Sequence, residues 1–335
     1  MHETSGHTRR GFLLAAGATG AVGLAGCTGT RIGAGPESET PADDGESPTV
    51  AILAAGSLQH ALETGLAPAI DVPIRVEAHG SATVARLIAE GQRDPDIVTV
   101  ADTALFEAPL SPPWYATFTS NAVVLAYNPD TEGGRRVADA DRWYEPLVDG
   151  DVRLGRTDPD RDPLGYRTLF TLELAARHYP DAPALHETIP RQRQIYPETA
   201  LIGGFETGSI DAAFAYRNMA VERGYDYVDL PDRIDLSNPA HADRYSTVSY
   251  TLPSGQEIRG DPISYGSTVR HRSDAALSVF AAHTTGDYLA DAGFLLRESF
   301  PRYEGEVPAA VRRATTADRG APALAETISA LTVLH

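Results

Sequence analysis

Short strand-like runs alternate with helix-like runs from residue 49 onward, and this alternation constrains the fold more than any other feature. Strands are predicted over Val50–Leu53, Ile74–Glu77 and Ile97–Val100, with helices over Leu58–Ile70 and Val84–Glu90 between them. This order implies parallel strands joined by right-handed crossovers. The sequence therefore predicts an α/β domain in which a ligand would lie at helix N-termini, beyond the ends of the strands.

A second α/β unit follows. Its predicted elements are strand Val152–Gly155, helix Leu164–His178, a helix near Ala200–Thr207 and strand Ala212–Tyr216. The apolar run Phe118–Tyr127 is predicted as one long strand that leaves the first unit, and Tyr245–Tyr250 and Ile263–Val269 return to it. Closing helices are predicted over Ala275–Leu296. We therefore expect lobe 1 to comprise residues 49–126 and 246–335, and lobe 2 to comprise residues 127–245.

Two copies of one short motif join the first strands to the helices that follow them. Ala55-Gly56-Ser57 and His79-Gly80-Ser81 each place a hydroxyl and unpaired N–H groups at a helix N-terminus. Such ends carry partial positive charge and bind anions. The pair suggests an oxyanion held between converging helices. The alternative is that Ser57 and Ser81 are ordinary N-caps.

The charge of the chain restricts its partners. Its 335 residues include 46 acidic and 28 basic side chains, a formal net charge of -18, and the sequence contains no lysine. An acidic surface without lysine is typical of proteins in near-saturated salt, where the Debye length falls to about 3 Å. The charge argues against nucleic-acid binding and against anionic lipid surfaces. It does not indicate a cationic substrate, because it reflects the solvent.

The N-terminal region has the features of a targeting segment. Thr8-Arg9-Arg10-Gly11-Phe12-Leu13 is a twin-arginine pattern, and the apolar run over residues 12–25 is too short for a stable membrane span. Leu24-Ala25-Gly26-Cys27 resembles a lipobox, in which Cys27 would be lipidated; the alternatives are an uncleaved signal anchor or a chance cysteine. We expect residues 1–27 to be a signal peptide and residues 28–48 a disordered tether. With a single cysteine no disulfide can form within the chain, and the ten histidines lack metal-ligand spacing.

Two further motifs lie in the second unit. In the string Asp158–Arg167, Asp162-Pro163 is a helix-start signal with Asp162 as N-cap. This third helix N-terminus could face the two serines across a cleft, or Asp162 could merely cap its helix. Tyr216, at the end of a predicted strand, could donate its phenol to an oxyanion. The alternative for Tyr216 is a buried aromatic ring with a satisfied hydroxyl.

These motifs occur together in an order that resembles the archaeal tungstate/molybdate-binding proteins of ABC transporters. The strings, over roughly residues 50–300, are "AAGSL", "HGSAT", "WYATFTSNAVVLAYNP", "DRWYEPL", "GRTDPDRDPLGYR", "FAYRNMA" and "DPISYGSTV". The resemblance implies a type II periplasmic-binding-protein fold, with two hinged lobes that each have a central mixed sheet flanked by helices. It also implies which groups bind the oxyanion: the hydroxyls of Ser57, Ser81 and Tyr216, backbone N–H groups around Leu164 and near Ala200, and Asp162 as a direct ligand of the metal.

The chain departs from the family at Ala215, where the archaeal proteins have a glutamate. A carboxylate about 4 Å from an anion costs roughly 4 kcal/mol per charge pair at an effective dielectric of 20, unless it donates to the metal or is protonated. Without that glutamate, we expect a tetrahedral oxyanion held by hydrogen bonds, and Asp162 as a helix cap only. Arg167 and Arg217 could clamp the anion, but we expect salt bridges to the acidic surface instead.

The sequence also bears on other classes of function. It has no Walker A, G-x-S-x-G or H-E-x-x-H motif, so we do not expect an enzyme. A sulfate- or phosphate-binding protein, or a sensor or adhesin lipoprotein, remains open; Asp162 could accept the proton that phosphate carries. We predict a lipid-anchored monomer on the extracellular face of the cell membrane, exported by the twin-arginine route, that delivers molybdate or tungstate to an ABC permease. No cofactor is expected, because the oxyanion is the cargo.

Overall fold

The computed structural model describes residues 48–320. The predicted signal peptide with Cys27, nearly all of the predicted tether and residues 321–335 lie outside the described residues. The strands within 48–320 are β1 Val50–Ala55, β2 Ile74–His79, β3 Ile97–Val100, β4 Trp114–Ser120, β5 Val123–Tyr127, β6 Leu154–Gly155, β7 Ala212–Tyr216, β8 Asp226–Asp229, β9 Ser249–Thr251, β10 Glu257–Arg259, β11 Ser264–Val269 and β12 Arg302–Gly305.

The helices begin with a composite segment in which a 3-10 turn, Gly56–Leu58, leads into α1 and a π-helical turn, Leu62–Leu66, leads into α2. The α-helices of the described part are α1 Gln59–Ala61, α2 Ala67–Ala69, α3 Ser81–Ala89, α4 Glu132–Asp139, α5 Glu145–Asp149, α6 Pro163–His178, α7 Leu185–Thr188, α8 Glu198–Glu206, α9 Arg217–Arg223, α10 Ala242–Tyr245, α11 Asp274–Thr285, α12 Tyr288–Asp291 and α13 Ala309–Gly320.

Two separate sheets organise residues 48–320. One has the strand order β12-β4-β11-β3-β1-β2, and the other has the order β6-β7-β5-β8. In the first, β1 is parallel to β2 and β3, whereas β11 is antiparallel to β3 and β4. The second also mixes the two directions, since β6 is parallel and β5 antiparallel to β7. We call the six-stranded sheet with its helices the first lobe, and the four-stranded sheet with its helices the second lobe. The prediction of two lobes that each contain a mixed sheet is confirmed.

The chain crosses between the lobes in an unexpected way. The prediction of one strand over Phe118–Tyr127 is wrong, because the strand is interrupted at Asn121 and Ala122, and β4 and β5 belong to different sheets. At this break the side-chain oxygen of Asn121 accepts the backbone N–H of Ala122 at 3.0 Å. The chain thus changes sheets between residues 120 and 123, a few residues before the predicted boundary at 126.

The predicted return strand Tyr245–Tyr250 is also wrong. Tyr245 ends helix α10, and β9 pairs only with β10, as a two-stranded hairpin. The phenol of Tyr245 donates to the carbonyl oxygen of Asp232, which holds this helical turn against the preceding loop. The return to the first sheet is made by β11 alone.

The core includes several polar aromatic side chains. Besides aliphatic residues of the parallel strands, the fully buried large side chains include Tyr166, Tyr216, Tyr245 and Tyr265. A buried phenol normally has a hydrogen-bond partner for its hydroxyl. Three of these tyrosines, Tyr166, Tyr216 and Tyr265, lie where the two lobes meet, so the interface between the lobes is polar as well as buried.

Candidate functional site

A cleft between the two lobes contains a cavity of about 500 Å³. Both lobes contribute to its walls. The first lobe supplies the loop after β1 and the loop after β2, and the second lobe supplies the start of α6, the segment before α8 and helix α9. The polar lining residues include Ser57, His60, Glu63, His79, Asp158, Arg161, Asp162, Glu222 and Arg223.

The lobes touch closely at one glycine of this cleft. A Cβ atom placed on Gly80 would lie 2.5 Å from the carbonyl oxygen of Arg161 and 3.1 Å from the Cβ of Asp162. Any larger residue at position 80 would therefore push the second lobe away. The Gly80–Ser81 step brings the start of α3 directly against the loop that precedes α6.

The two predicted serines lie in the loops that follow β1 and β2, and neither is a helix cap. Ser57 is inside the 3-10 turn that starts after Ala55, and its Oγ is 2.9 Å from the Tyr265 hydroxyl. Ser81 is the first residue of α3, and its Oγ accepts the backbone N–H of Ala101 at 2.9 Å. The alternative that they are ordinary N-caps is wrong, because neither turn has a side-chain cap bond. Both side chains are buried, Ser57 at 5% and Ser81 at 1% exposure.

Arg167 organises the buried polar groups behind the cleft. Its Nη1 donates to the Tyr216 hydroxyl at 2.7 Å and to the Ala101 carbonyl at 2.6 Å, and its Nη2 lies 3.1 Å from Asp102 Oδ2. Burial lowers the pKa of Arg167, but the neighbouring Tyr216 and Asp102 raise it above its usual value, so the guanidinium stays charged. The expectation of a surface salt bridge is wrong for Arg167, which is 4% exposed. The sequence did not reveal the buried ion pair of Arg167, because its partner Asp102 is 65 residues away in the chain.

Tyr216 occupies the end of β7, as predicted from the sequence. Its hydroxyl accepts from Arg167, and burial raises its pKa well above the usual range for a phenol. The phenol is therefore neutral and keeps one proton. The Tyr216 ring centroid is 6.1 Å from that of Tyr265, the partner of Ser57. Since Ala101 bonds both Ser81 and Arg167, hydrogen bonds connect the Ser81 and Tyr216 hydroxyls, whereas Ser57 is linked to Tyr216 only by the ring contact of Tyr265.

Asp162 is the N-cap of α6, as predicted. Its Oδ1 accepts the N–H of Leu164 at 3.0 Å, while the Gly165 N–H is donated to the Asp162 carbonyl. The N–H of Leu164, which the resemblance assigns to the ligand, is thus engaged within the turn. Asp162 Oδ2 is buried and has no hydrogen-bond partner among the described residues. Burial raises the pKa of Asp162 from its usual 3.8 to about 6, against the opposing effects of the Leu164 N–H and of the neighbouring Thr157 hydroxyl, which itself has no other partner within residues 48–320.

Of the predicted site residues, Ser57 and Asp162 line the cavity, whereas Ser81, Leu164 and Tyr216 are buried and are not part of its lining. Ala200 is exposed in α8, and the lining residues nearest to it in sequence are Pro197 and Ile202. Ala215 packs in a hydrophobic cluster that also contains Val124, Leu201, Phe205, Ile210 and Ala213. Arg217 donates to the Gly293 carbonyl at 2.8 Å. The position before Tyr216 therefore faces the interior of the second lobe.

A carboxyl group that the sequence did not reveal does line the cleft. Glu222, on α9, accepts from the Asn218 side-chain amide at 3.0 Å. Burial raises its pKa from 4.5 to about 7, and the Asn218 bond opposes that shift. The i,i+4 spacing of Asn218 and Glu222 could have indicated that they share one face of a helix, but not that this face borders the cleft.

Two other kinds of feature are absent from the described part of the chain. No group of three or more His, Cys, Asp or Glu side chains within 48–320 is placed to hold a metal ion. Nor do these residues include a helix with the length and apolar character needed to span a bilayer.

Comparison with known proteins identifies relatives along most of the chain. A Haloferax volcanii protein that bears the provisional name of an ABC transporter molybdenum-binding protein is 56% identical over 303 residues, 90% of this chain and 96% of its own. The molybdate/tungstate-binding protein WtpA of Thermococcus kodakarensis is 31% identical over 296 residues, 77% of this chain and 82% of its own. These relatives confirm the resemblance drawn from the motifs.

A solved structure shows the same fold. The sulfate-binding protein SubI of Mycobacterium tuberculosis matches with a TM-score of 0.50 at 15% identity, over 80% of this chain and 91% of its own. The fold is that of a type II periplasmic binding protein, as expected, and the relatives are binding proteins rather than enzymes. The family model for bacterial extracellular solute-binding proteins matches residues 50–321, and the chain belongs to that family.

Proposed function

We propose that this protein captures molybdate or tungstate in the cleft between its lobes and delivers it to the permease of an ABC transporter. The names of the Haloferax and Thermococcus relatives support the ligand and the transporter. We assign binding to the hydroxyls of Ser57, Ser81 and Tyr216, to N–H groups near Leu164 and Ala200, and to the carboxyl group of Asp162. No cofactor takes part, because the oxyanion is the cargo.

The observation that carries this proposal is the direction of the hydrogen bonds at the hydroxyls. Ser81 and Tyr216 both accept from groups that can only donate, the Ala101 N–H and the Arg167 guanidinium. Each hydroxyl therefore keeps its own proton for a further acceptor. A fully deprotonated tetrahedral oxyanion has acceptors only, and it matches such a set of donors. The Arg167 guanidinium bonds the Tyr216 hydroxyl directly, and Asp102 balances its charge, so its part is to fix the direction of the Tyr216 proton.

The position of Asp162 decides how the anion is coordinated. Its carboxylate repels a dianion when it is ionised, and becomes a further donor when it is protonated. A pKa of about 6 makes the protonated form accessible near neutral pH. With Ala215 turned into a hydrophobic cluster, we propose a tetrahedral anion held by hydrogen bonds.

The same carboxylate favours one alternative. Monohydrogen phosphate carries a proton, and the ionised Asp162 carboxylate, which lines the cleft, can accept it. A phosphate-binding protein is therefore the second candidate. Sulfate, which has acceptors only, falls in the same chemical class as molybdate.

The cellular setting is part of the proposal. The lipobox at Cys27 and the twin-arginine pattern support a lipoprotein held on the outer face of the cell membrane, with residues 28–48 as its tether. The absence of lysine and the net charge of -18 support a protein that works in concentrated salt, as a monomer that binds no nucleic acid.

Titration calorimetry of the full chain in multimolar potassium chloride tests the function. Tungstate, molybdate, sulfate and phosphate are titrated in turn into the wild type, Ser81→Ala and the control Ser246→Ala, whose exposed hydroxyl bonds only the Asp243 carbonyl. We expect tight binding of tungstate or molybdate that Ser81→Ala weakens and Ser246→Ala does not. If phosphate binds most tightly, phosphate takes the place of molybdate and tungstate as the proposed ligand. If none of the four anions binds, the proposed function is refuted.

A further inference from the structure

A closed ring of hydrogen bonds connects Ser57 to the two segments that join the lobes. Ser57 Oγ lies 2.9 Å from the Tyr265 hydroxyl, and Tyr265 accepts from Asn121 Nδ2 at 3.2 Å. Asn121 Nδ2 also donates to Asn218 Oδ1 at 2.7 Å, and Asn218 Nδ2 donates to the Ser57 carbonyl at 2.8 Å. These four residues, which we call the interlobe ring, are all buried. The mutual partners are up to 208 residues apart in the chain.

The backbone fixes the direction of the bonds made by both asparagines. Asn121 Oδ1 accepts the N–H of Ala122 at 3.0 Å, and the N–H of Asn218 points to the same oxygen at 3.4 Å. Because backbone N–H groups only donate, the other end of the Asn121 amide must be its NH₂. The orientation of the Asn218 amide is also fixed, because its Nδ2 donates to two acceptors, the Ser57 carbonyl and the carboxyl group of Glu222. The Tyr265 oxygen is thus an acceptor from Asn121.

The ring joins residues of both lobes and of the chain crossings between them. Ser57 belongs to the first lobe and Asn218 to α9 of the second lobe. Asn121 lies in the crossing between β4 and β5, and Tyr265 lies on β11, which makes the return. A rotation of one lobe about these crossings would separate Asn218 from the Ser57 carbonyl and break the ring.

We propose that Asn121 and Tyr265 are positioning residues that make the Ser57 hydroxyl a donor to the bound anion, in the closed state. Asn121 donates to the Tyr265 oxygen, Tyr265 directs its proton to Ser57 Oγ, and the Ser57 proton is then turned toward the cavity that Ser57 lines. Ser57 thereby gains the donor role that Ala101 gives to Ser81 and Arg167 gives to Tyr216. This inference rests on the proposed function and names its ligand class, an anion that brings acceptors and no proton to Ser57.

A double-mutant cycle tests the proposal. Affinity for molybdate is measured by calorimetry on the full chain for the wild type, Tyr265→Phe, Ser57→Ala and the double variant. Tyr303→Phe is the control, because its hydroxyl bonds Thr315 on the far edge of the first sheet, outside the cavity. We expect Tyr265→Phe to weaken binding about tenfold, the effect of a hydrogen bond to a charged group, and to have no further effect once Ser57 is alanine. Tyr303→Phe should leave the affinity unchanged.

Selectivity separates this positioning role from a merely structural one. A Ser57 hydroxyl released from Tyr265 can turn and accept, so Tyr265→Phe should lose less affinity for hydrogen phosphate than for molybdate. Full affinity in Tyr265→Phe, or an equal loss with and without Ser57, would overturn the inference while leaving the function intact. Failure of the wild type to bind any oxyanion would instead reject the proposed function. Thermal unfolding of each variant shows that the losses occur in folded protein.

Discussion

Replacing Asp162 by asparagine should stabilise the protein, because the native carboxylate is ionised at a cost. Burial raises the Asp162 pKa from 3.8 to about 6. An acid whose pKa is raised on folding binds its proton more tightly in the folded state, so stability is lost as pH rises from the unfolded value toward the folded one. At pH 8 both states are ionised and the penalty is complete, about 3 kcal/mol at roughly 1.4 kcal/mol per pKa unit. At pH 5 the same linkage leaves roughly half of that penalty.

The Asp162→Asn side chain keeps an oxygen for the cap bond to Leu164 and carries no charge. Urea unfolding in concentrated salt should therefore show Asp162→Asn more stable than the wild type at pH 8, with a gain that roughly halves at pH 5. The matched control is Asp235→Asn, since burial also raises the pKa of Asp235 to about 6 but this residue lies outside the cleft. Both variants should gain stability, and only Asp162→Asn should bind a dianion more tightly at pH 8. Equal stability of Asp162→Asn and wild type at pH 8 would refute the argument.

Three further changes test other parts of the site. Ser81→Ala should weaken oxyanion binding by about 1.5–3 kcal/mol in calorimetry, the range for a hydrogen bond to a charged group; unchanged affinity would remove Ser81 from the site. Arg167→Met should lower the free energy of unfolding by about 3–5 kcal/mol in urea titrations, because Asp102 is left as a buried charge without its partner; a loss under about 1 kcal/mol would contradict this. Gly80→Ala should hold the lobes apart, because its Cβ would lie 2.5 Å from the Arg161 carbonyl oxygen, and small-angle scattering with saturating ligand should show a larger radius of gyration than for wild type.

Local patterns predicted the elements that present the site. Strand Ala212–Tyr216 occurs at the predicted residues, and the helix predicted over Leu164–His178 is observed over Pro163–His178. Each has a strong local cause: an apolar run in one case, and an Asp-Pro start in the other. The same reasoning failed at residues 118–127, because an apolar run does not show that its two halves pair in different sheets.

The partners of the site residues could not be predicted from local patterns. Arg167 was expected to form salt bridges at the acidic surface, because selective capture needs shape and neutral donors more than charge, yet its charge is balanced by the buried Asp102, which follows β3 in the other lobe. Tyr265 lies in the motif "DPISYGSTV", and Glu222 shares a helix face with Asn218, but neither pattern indicated a role in the site. What each contributes depends on contacts between segments that only the folded chain brings together.

The distribution of charge explains how so acidic a chain can capture an anion. A net charge of -18 would repel a dianion over long distances in dilute solution, but in concentrated salt the Debye length falls to about 3 Å, and only groups in direct contact act on the ligand. We expect those groups to be the hydroxyls whose protons Ala101 and Arg167 direct, together with the carboxyl groups of Asp162 and Glu222, whose raised pKa values allow them to take up a proton. Selectivity then depends on which way each hydroxyl donates. Two of these directions are set by buried groups that can only donate, the Ala101 N–H and the Arg167 guanidinium. Because neither depends on the surface charge, an acidic surface is compatible with anion binding.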